Sequence, residues 1–344
     1  MGDSWEKGIL FVDLSDRSWG IETLKCERIG GSSLARELLL KFGGFAIVPG
    51  LLTGTEAPTG GRYSMALKTR HGVHVSSVGG FIGSYVRGYQ LDGIVMLGRS
   101  EEPLIVYFRK EGIAFESASQ YTGKGALEVQ KVLEVKGRKS IVVGPAGEKE
   151  VGISSLIAEG FRSFGRGAGE ALWRMGVKAL VFDPAPPPKV GGTFREIALK
   201  LKRKLRASSK GVNEIGHPCY GCPISCAAMD GKLKKGISRI LRDMPRDRAL
   251  KIVKMANDAG VDLFGAWIVS REKGMKIEEV VERARTGEDF DVEYPEKERD
   301  DLREWLDDVG LCRDAAELLS EEEVNDLVKA FDLSGGLSYD NRQG

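Results

Sequence analysis

Three of the chain's five cysteines stand together in His217-Pro-Cys-Tyr-Gly-Cys-Pro-Ile-Ser-Cys226, at Cys219, Cys222 and Cys226. Two intervening residues let neighbouring thiolates converge on one centre, and the third needs only a further short turn. Pro218, Gly221 and Pro223 keep the loop from closing into a regular helix. A triplet of this kind plus one remote thiolate holds cubane iron–sulfur clusters. Zinc, which takes four thiolate or mixed Cys/His ligands, is the rival. The purely structural alternative is three small buried side chains with no ligand role.

Two passages further along echo each other. Asn257-Asp-Ala-Gly-Val-Asp262 and Asp307-Asp-Val-Gly-Leu-Cys312 each open on a polar or acidic residue and carry Gly at the fourth position, an aliphatic at the fifth and Asp or Cys at the sixth. Gly at the end of a helix supports a left-handed cap that turns the chain sharply. A carboxylate beside it can accept paired hydrogen bonds from the amino groups of a heterocycle. As plain structure, both passages are helix C-caps. Cys312 supplies a fourth thiolate for the triplet, and Cys26, in the β-rich N-terminal segment, is the weaker candidate.

Three glycine-rich passages lie in the first half: Leu52-Thr-Gly-Thr-Glu-Ala-Pro-Thr-Gly-Gly-Arg-Tyr63, Ser76-Ser-Val-Gly-Gly-Phe-Ile-Gly83 and Arg162-Ser-Phe-Gly-Arg-Gly-Ala-Gly169. Glycine leaves backbone N–H groups accessible to a polyanion, and arginine offers a planar fork to phosphate oxygens. An anionic cofactor on this half would use all three, whereas tight turns and ion-paired arginines explain any one alone. None is a Walker sequence, and Gly165–Gly169 lacks the spacing and context of a dinucleotide fingerprint.

The elements that must position these residues change character along the chain. Residues 8–23 read as a hairpin, with strands over 8–14 and 19–23. A helix over 32–42 follows, with Ser32 or Ser33 as cap and Gly43-Gly44 as stop. Strands are expected at 46–49, 63–69, 73–77, 93–97, 104–109, 113–117, 140–143 and 178–182, with helices at 125–135 and 168–175. Asp183–Gly192 holds four prolines and then two glycines, the pattern of a boundary. Beyond it the pattern is helical: Ile197, Ala198, Leu201 and Leu205 mark one face of a helix over 194–205, and further helices are expected at 246–259, 276–286, 297–309 and 321–331. No internal repeat of useful length stands out. The fold class is α+β, a β-rich first half followed by a reduced, mostly helical second half.

A length of 344 residues calls for two or three domains. The formal charge of +1 gives no global reason to bind nucleic acid or an anionic membrane. One local exception is the stretch Arg195–Lys210, strongly basic on the face opposite its apolar stripe; it reads as a solvated helix face rather than a nucleic-acid surface. Clustered cysteines, no signal-peptide pattern and no apolar run of spanning length point to a reducing cytoplasm.

Together these residues resemble the aldehyde ferredoxin oxidoreductase family of tungsten–pterin enzymes. The likeness runs through Val12-Asp-Leu14, Leu52-Thr-Gly-Thr55, Ala57-Pro-Thr-Gly-Gly-Arg-Tyr63, Gly79-Gly-Phe-Ile-Gly83, Gly88-Tyr-Gln-Leu-Asp-Gly-Ile94, Gly144-Pro-Ala-Gly-Glu148 and Gly165-Arg-Gly167, and resumes at Pro218–Cys226 and the two paired motifs. The resemblance implies a β-rich base (residues 1–185) carrying two pterin dithiolenes, a Pro/Gly linker (186–192) and a shortened helical, cluster-binding part (193–344). It implies that Cys219, Cys222, Cys226 and Cys312 hold a [4Fe-4S] cluster and that Asn257, Asp262 and Asp307 contact the pterins. Arg62 is placed between cluster and pterin, and the Ser77 and Ser163 carbonyls on a magnesium ion bridging the pterin phosphates. Gly79, Gly80, Arg162, Gly165, Arg166 and Gly167 would line the cofactor. The implied activity is oxidation of an aldehyde-type substrate at a tungsten or molybdenum centre, with electrons passed to ferredoxin; a non-catalytic, cofactor-holding or electron-relaying paralogue is the alternative. The chain is much shorter than family members. All three histidines (His71, His74, His217) precede the paired motifs, so the family's catalytic histidine has no counterpart, and residues 227–256 contain no glutamate. Glu272, Glu278 and Glu279 are the carboxylates available for recruitment. A second copy or a partner subunit would cover the pterin face that the missing length leaves open.

Overall fold

The computed structural model describes residues 4–159, 162–208, 219–224, 240–241, 243–290, 292–294, 301–312 and 318–334. The first half contains two six-stranded sheets. In the first, β1 (Trp5–Asp13) and β2 (Ser18–Cys26) form the expected hairpin, followed by α1 (Gly31–Phe42), β3 (Phe45–Pro49), β4 (Arg62–Thr69), β5 (Gly72–Gly79), α2 (Ile82–Gly88) and β6 (Gly93–Leu97), with strand order β2-β1-β6-β3-β4-β5. The second runs β7 (Leu104–Arg109), β8 (Gly112–Ser117), α3 (Ala126–Leu133), β9 (Lys139–Val143), α4 (Pro145–Glu148), β10 (Leu156–Ala158), β11 (Arg162–Phe164), α5 (Ala168–Arg174) and β12 (Val177–Phe182).

Its order, β11-β10-β9-β12-β7-β8, is the first sheet read from the other edge. In each sheet the opening strand of a hairpin pairs in parallel with the closing strand (β1 with β6, β7 with β12), and the other pairings are antiparallel. The base is therefore an internal repeat, contrary to the expectation from sequence. The repeat escapes notice because its copies differ in length: β4 and β5 have 8 residues each where β10 and β11 have 3.

The central strands β3, β6, β9 and β12 are apolar on both faces because both are covered. Phe45 and Ile47 point into a core shared with Val106, Phe108, Ile141 and Val143 of the second sheet, where Phe108 stacks on Phe182 at 4.6 Å. The alternate residues Ala46 and Val48 meet Leu34 and Leu38 of α1, and Val142 and Val181 meet Val129 and Leu133 of α3. The layers are helix, sheet, sheet, helix.

Among the described residues six helices follow: α6 (Gly192–Ser208), α7 (Arg246–Ala259), α8 (Leu263–Lys273), α9 (Ile277–Thr286), α10 (Asp301–Val309) and α11 (Glu321–Leu333). Residues 297–300 of the helix expected over 297–309 lie outside the described residues. The helices divide between the repeats. Helices α7–α9 pack on Ala146, Val151 and Ile153 beyond β9, whereas α6, α10 and α11 pack on Leu51, Leu52 and Ala57 beyond β3. The proline-rich stretch lies along the base, with Pro188 and Val190 buried. Among the described residues no helix is long and apolar enough to cross a membrane.

Helix α8, the short helices α2 and α4 and the short strands β10 and β11 were not legible in the sequence. Leu263-Phe-Gly-Ala-Trp-Ile-Val269 has no polar face to betray a helical period, and its aromatic, β-branched and Gly residues are weak helix formers. The cap of α1 also differs from expectation. Gly30 occupies the N-cap position without any side-chain cap, and Ser32 and Ser33 lie inside the helix. Asp308 caps it from afar, accepting from Ser33 N at 2.8 Å and Ser32 Oγ at 3.2 Å.

Candidate functional site

The paired motifs dock one on each repeat. Both end helices at a left-handed glycine, Gly260 (φ 71°) after α7 and Gly310 (φ 87°) after α10. Gly260 sits so close to Gly144 that an added Cβ would lie 2.8 Å from its Cα, and the Ser155 and Asp262 amides tie the two segments at 2.8 Å each, to Gly260 O and Ile153 O. Gly310 faces Gly50 in the same way, with Leu51 N and Leu52 N donating to Asp308 O and Val309 O at 2.9 and 2.8 Å. The second residues match as well: Asp258 accepts from Leu127 N of α3 at 3.2 Å, as Asp308 does from α1. The first residues, Asn257 and Asp307, are both buried.

The cysteine loop is described over residues 219–224, and Cys226 lies outside the described residues. The loop seats on glycines. A Cβ on Gly79 would fall 2.8 Å from Cys219 Sγ, and one on Gly61 would fall 2.9 Å from Tyr220 N, so larger residues would push the loop away. Tyr220 N donates to Gly80 O at 3.0 Å, and Cys222 N closes a turn on Cys219 O at 3.1 Å through Gly221 (φ 66°). Thr59, itself left-handed at φ 62°, joins this loop to the second paired motif: its N–H reaches Gly221 O at 3.3 Å and its Oγ1 accepts from Cys312 N at 3.1 Å. Cys222 and Cys312 pack together with Leu205, Ile224 and Leu319.

Arg62 stands between these pieces. Its Nε donates to Ser77 Oγ at 3.1 Å, its Nη2 to Ser77 O at 3.3 Å, and both nitrogens to Asp307 Oδ1 at 3.2 and 3.1 Å. Burial works against its charge, but the neighbouring Cys312, Asp307 and Cys219 groups outweigh burial and hold the guanidinium above its ordinary pKa. Arg162, only 3% exposed, points its Nη2 at Cys219 Sγ, 3.7 Å away, and ion-pairs with Glu159 at 3.6 Å. Glu159 accepts from the Phe81 and Ile82 amides at 2.8 and 3.0 Å. Gly80 is glycine because a Cβ there would collide with that carboxylate. Burial pushes the Glu159 carboxyl up against the pull of Arg162.

The remaining candidates gather at the other repeat. Asp262 caps α8 through Gly265 N at 3.1 Å and lies 3.8 Å from Arg166 Nε. The Arg166 guanidinium sits over the Tyr294 ring at 4.4 Å and the Phe264 ring at 5.0 Å. Ser163 Oγ meets Ser155 Oγ at 2.8 Å, and Gly165 and Gly167 are both left-handed ahead of α5. The structure thus sorts the sequence-picked residues into a cysteine-side group (Arg62, Ser77, Gly79, Gly80, Arg162, Asp307, Cys219, Cys222, Cys312) and an Arg166–Asp262 group. Cys26 belongs to neither and is buried under α1. Glu278 and Glu279 are tied to Arg248 and Arg283 on outer surfaces. Sequence reasoning missed Thr59 and Glu159. Thr59 lay within a quoted motif, whereas Glu159 had no signal.

Among the described residues no three His, Cys, Asp or Glu side chains are gathered so as to hold a metal ion. A cubane spreads its thiolates further apart than a single tetrahedral ion does. Three half-buried thiols around Thr59 and Arg62, with Arg162 and Lys202 beside them, have the chemistry of a cluster donor set.

The family model for the N-terminal domain of aldehyde ferredoxin oxidoreductase matches residues 9–184. The chain is 32% identical over 184 residues to the tungsten-containing aldehyde ferredoxin oxidoreductase of Pyrococcus horikoshii, covering 51% of this chain and 30% of that one. It is 31% identical over 185 residues to the enzyme of the same name from Thermococcus kodakarensis, covering 52% and 31%. The match therefore spans about a third of the length of these relatives. Among solved structures, a chain of the active site complex BamBC of benzoyl coenzyme A reductase, determined with 1,5-dienoyl-CoA, superposes with a TM-score of 0.64 at 18% identity, covering 94% of this chain and 65% of that one. That likeness concerns the fold.

Proposed function

This chain belongs to the aldehyde ferredoxin oxidoreductase family, and from that premise we propose that it is an oxidoreductase built to hold a tungsten bis-pterin beside a [4Fe-4S] cluster. In this reading residues 1–185 are the base, 186–192 the connector and 193–344 the cluster-bearing cover. The observation that carries it is Arg62, clamped by Asp307 and Ser77, with Cys219 and Cys312 as its neighbours. One basic side chain thereby connects the cysteine loop, the second paired motif and the glycine-rich base.

Cys219, Cys222, Cys226 and Cys312 would hold the cluster, and the backbone turn at Gly221 and the Thr59 bridge would fix their approach. Asn257 and Asp307, at matching places on the two repeats, would hydrogen-bond one pterin heterocycle each. The Ser77 and Ser163 carbonyls would meet a magnesium ion between the phosphates. The metal–pterin centre would supply two-electron chemistry at an aldehyde-type carbon, and the cluster would supply single-electron transfer. What the protein would contribute is position: Arg62, held by Ser77 and Asp307, would keep a fixed positive charge between the two groups.

A second reading rests on the carboxylates and histidines. Glu278 and Glu279 are engaged by arginines away from the site, and no histidine follows residue 217. A subunit that holds cofactors or relays electrons for a catalytic partner fits those facts. Reduction of benzyl viologen by the anaerobically purified, cofactor-loaded chain, challenged with a panel of aldehydes, separates the two. Turnover with any aldehyde supports the oxidoreductase reading, and a silent panel with full loading overturns it in favour of the auxiliary one.

A further inference from the structure

Lining a cofactor does not explain how Arg162 is held. Strand β10 ends at Ala158 and β11 opens at Arg162, paired across the hairpin, so Glu159 and Arg162 flank its turn. Arg162 Nη1 donates to Glu159 O at 3.3 Å and stands 3.6 Å from Glu159 Oε2. Its other terminal nitrogen, Nη2, reaches Cys219 Sγ at 3.7 Å. The carboxylate that braces it is fixed in turn, accepting from Phe81 N at 2.8 Å on both oxygens and from Ile82 N at 3.0 Å. Glu159 adopts φ 50° to do so, a left-handed conformation that costs a non-glycine residue energy.

Cys219 is anchored on the same backbone. Gly79 leaves room for its Sγ, and Tyr220 N donates to Gly80 O at 3.0 Å. Residues 79–80 thus seat the sulfur while the amides of 81–82 seat the carboxylate that aims the guanidinium. One short segment therefore sets the distance between Arg162 and Cys219. Arg62 also neighbours Cys219, but its Nε and Nη2 go to Ser77 and Asp307. A thiolate bound to iron keeps lone pairs that accept N–H. Such a hydrogen bond favours the more negative, reduced state of a cluster, and more so where the donor is buried and charged.

We propose that Arg162 is a positioning residue that raises the one-electron reduction potential of the group held by Cys219, by donating N–H to its sulfur, and that Glu159 holds it there. This rests on the cluster reading of the cysteines. Reduction adds one electron to the group and makes or breaks no bond.

The test is a redox titration of the anaerobically purified full chain, with dithionite as the electron source and the paramagnetic signal of the reduced cluster as the readout. Iron content and melting temperature are measured beside it. Arg162→Gln should shift the one-electron equilibrium about tenfold towards the oxidised state, a midpoint about 59 mV lower. Arg162→Lys, which keeps the charge without the fork, should fall between Arg162→Gln and wild type. Arg248→Gln, on the outer surface of α7, should titrate as wild type. An Arg162 that only supports the fold would lower the melting temperature and the iron content while leaving the midpoint of the loaded fraction in place. That result, or a raised midpoint in Arg162→Gln, overturns the proposal alone. Should Arg162→Gln fail to fold, Arg162→Lys decides: a lowered midpoint supports the proposal and an unchanged one overturns it. Iron-free wild-type protein overturns the cluster reading and the proposal with it.

Discussion

Arg62 shows how much one residue can be read, and how much cannot. Its place in a Gly-Gly-Arg-Tyr passage pointed to an anion or a cofactor, but its actual partners, Ser77 and Asp307, come from 15 and 245 residues away. Side-chain partnership across such distances leaves no periodic trace in the sequence. Glu159 is the clearer case. It is an acidic residue with φ 50° in no recognisable motif, yet it caps the Gly80-Phe81-Ile82 turn and fixes Arg162 against Cys219. The Arg62–Asp307 pair is mostly buried, so removing one partner strands the other. Asp307→Ala should cost about 3 kcal/mol in denaturant unfolding. Arg62→Ala with Asp307→Ala should cost clearly less than the two single changes summed. Strict additivity would mean that the pair is incidental.

At the scale of elements, the strongest sequence signals proved to be the helix ends. Helix α7 spans the expected 246–259, and the glycine at the fourth position of each paired motif is a left-handed cap. What the spacing could not reveal is why those glycines are irreplaceable. Each lies against a glycine of the base, so the requirement is close approach as well as conformation. Gly310 and Gly274 separate the two contributions. Both are left-handed, but a Cβ on Gly274 meets nothing within 4 Å, whereas one on Gly310 collides with Thr53 Oγ1 and crowds Gly50. Gly274→Ala should cost about 1 kcal/mol, the strain of a left-handed residue. Gly310→Ala should cost roughly 3 kcal/mol, because the docked motif must also shift. Thermal or denaturant unfolding of the two variants checks the difference, and equal losses would contradict the close-approach account. The cap of α1 carries the same lesson: Asp308 does from another element what neighbouring serines were expected to do.

For the whole molecule, composition and pattern conveyed the β-rich half, the helical half and the change near residue 185. They did not convey that the first half is one topology used twice, because its copies share connectivity while differing in strand length and sequence. That duplication gives the paired motifs their meaning, since each docks at the same place on its own copy. The copies then diverge in chemistry. One side gathers thiols and arginines, the other stacks Arg166 on Tyr294 and Phe264 beside Asp262. A cluster on one side with a pterin metal between is the account's central claim. Elemental analysis of anaerobically purified full-length protein tests it most directly. The account predicts about four iron atoms per chain together with tungsten or molybdenum; zinc as the only metal would contradict it.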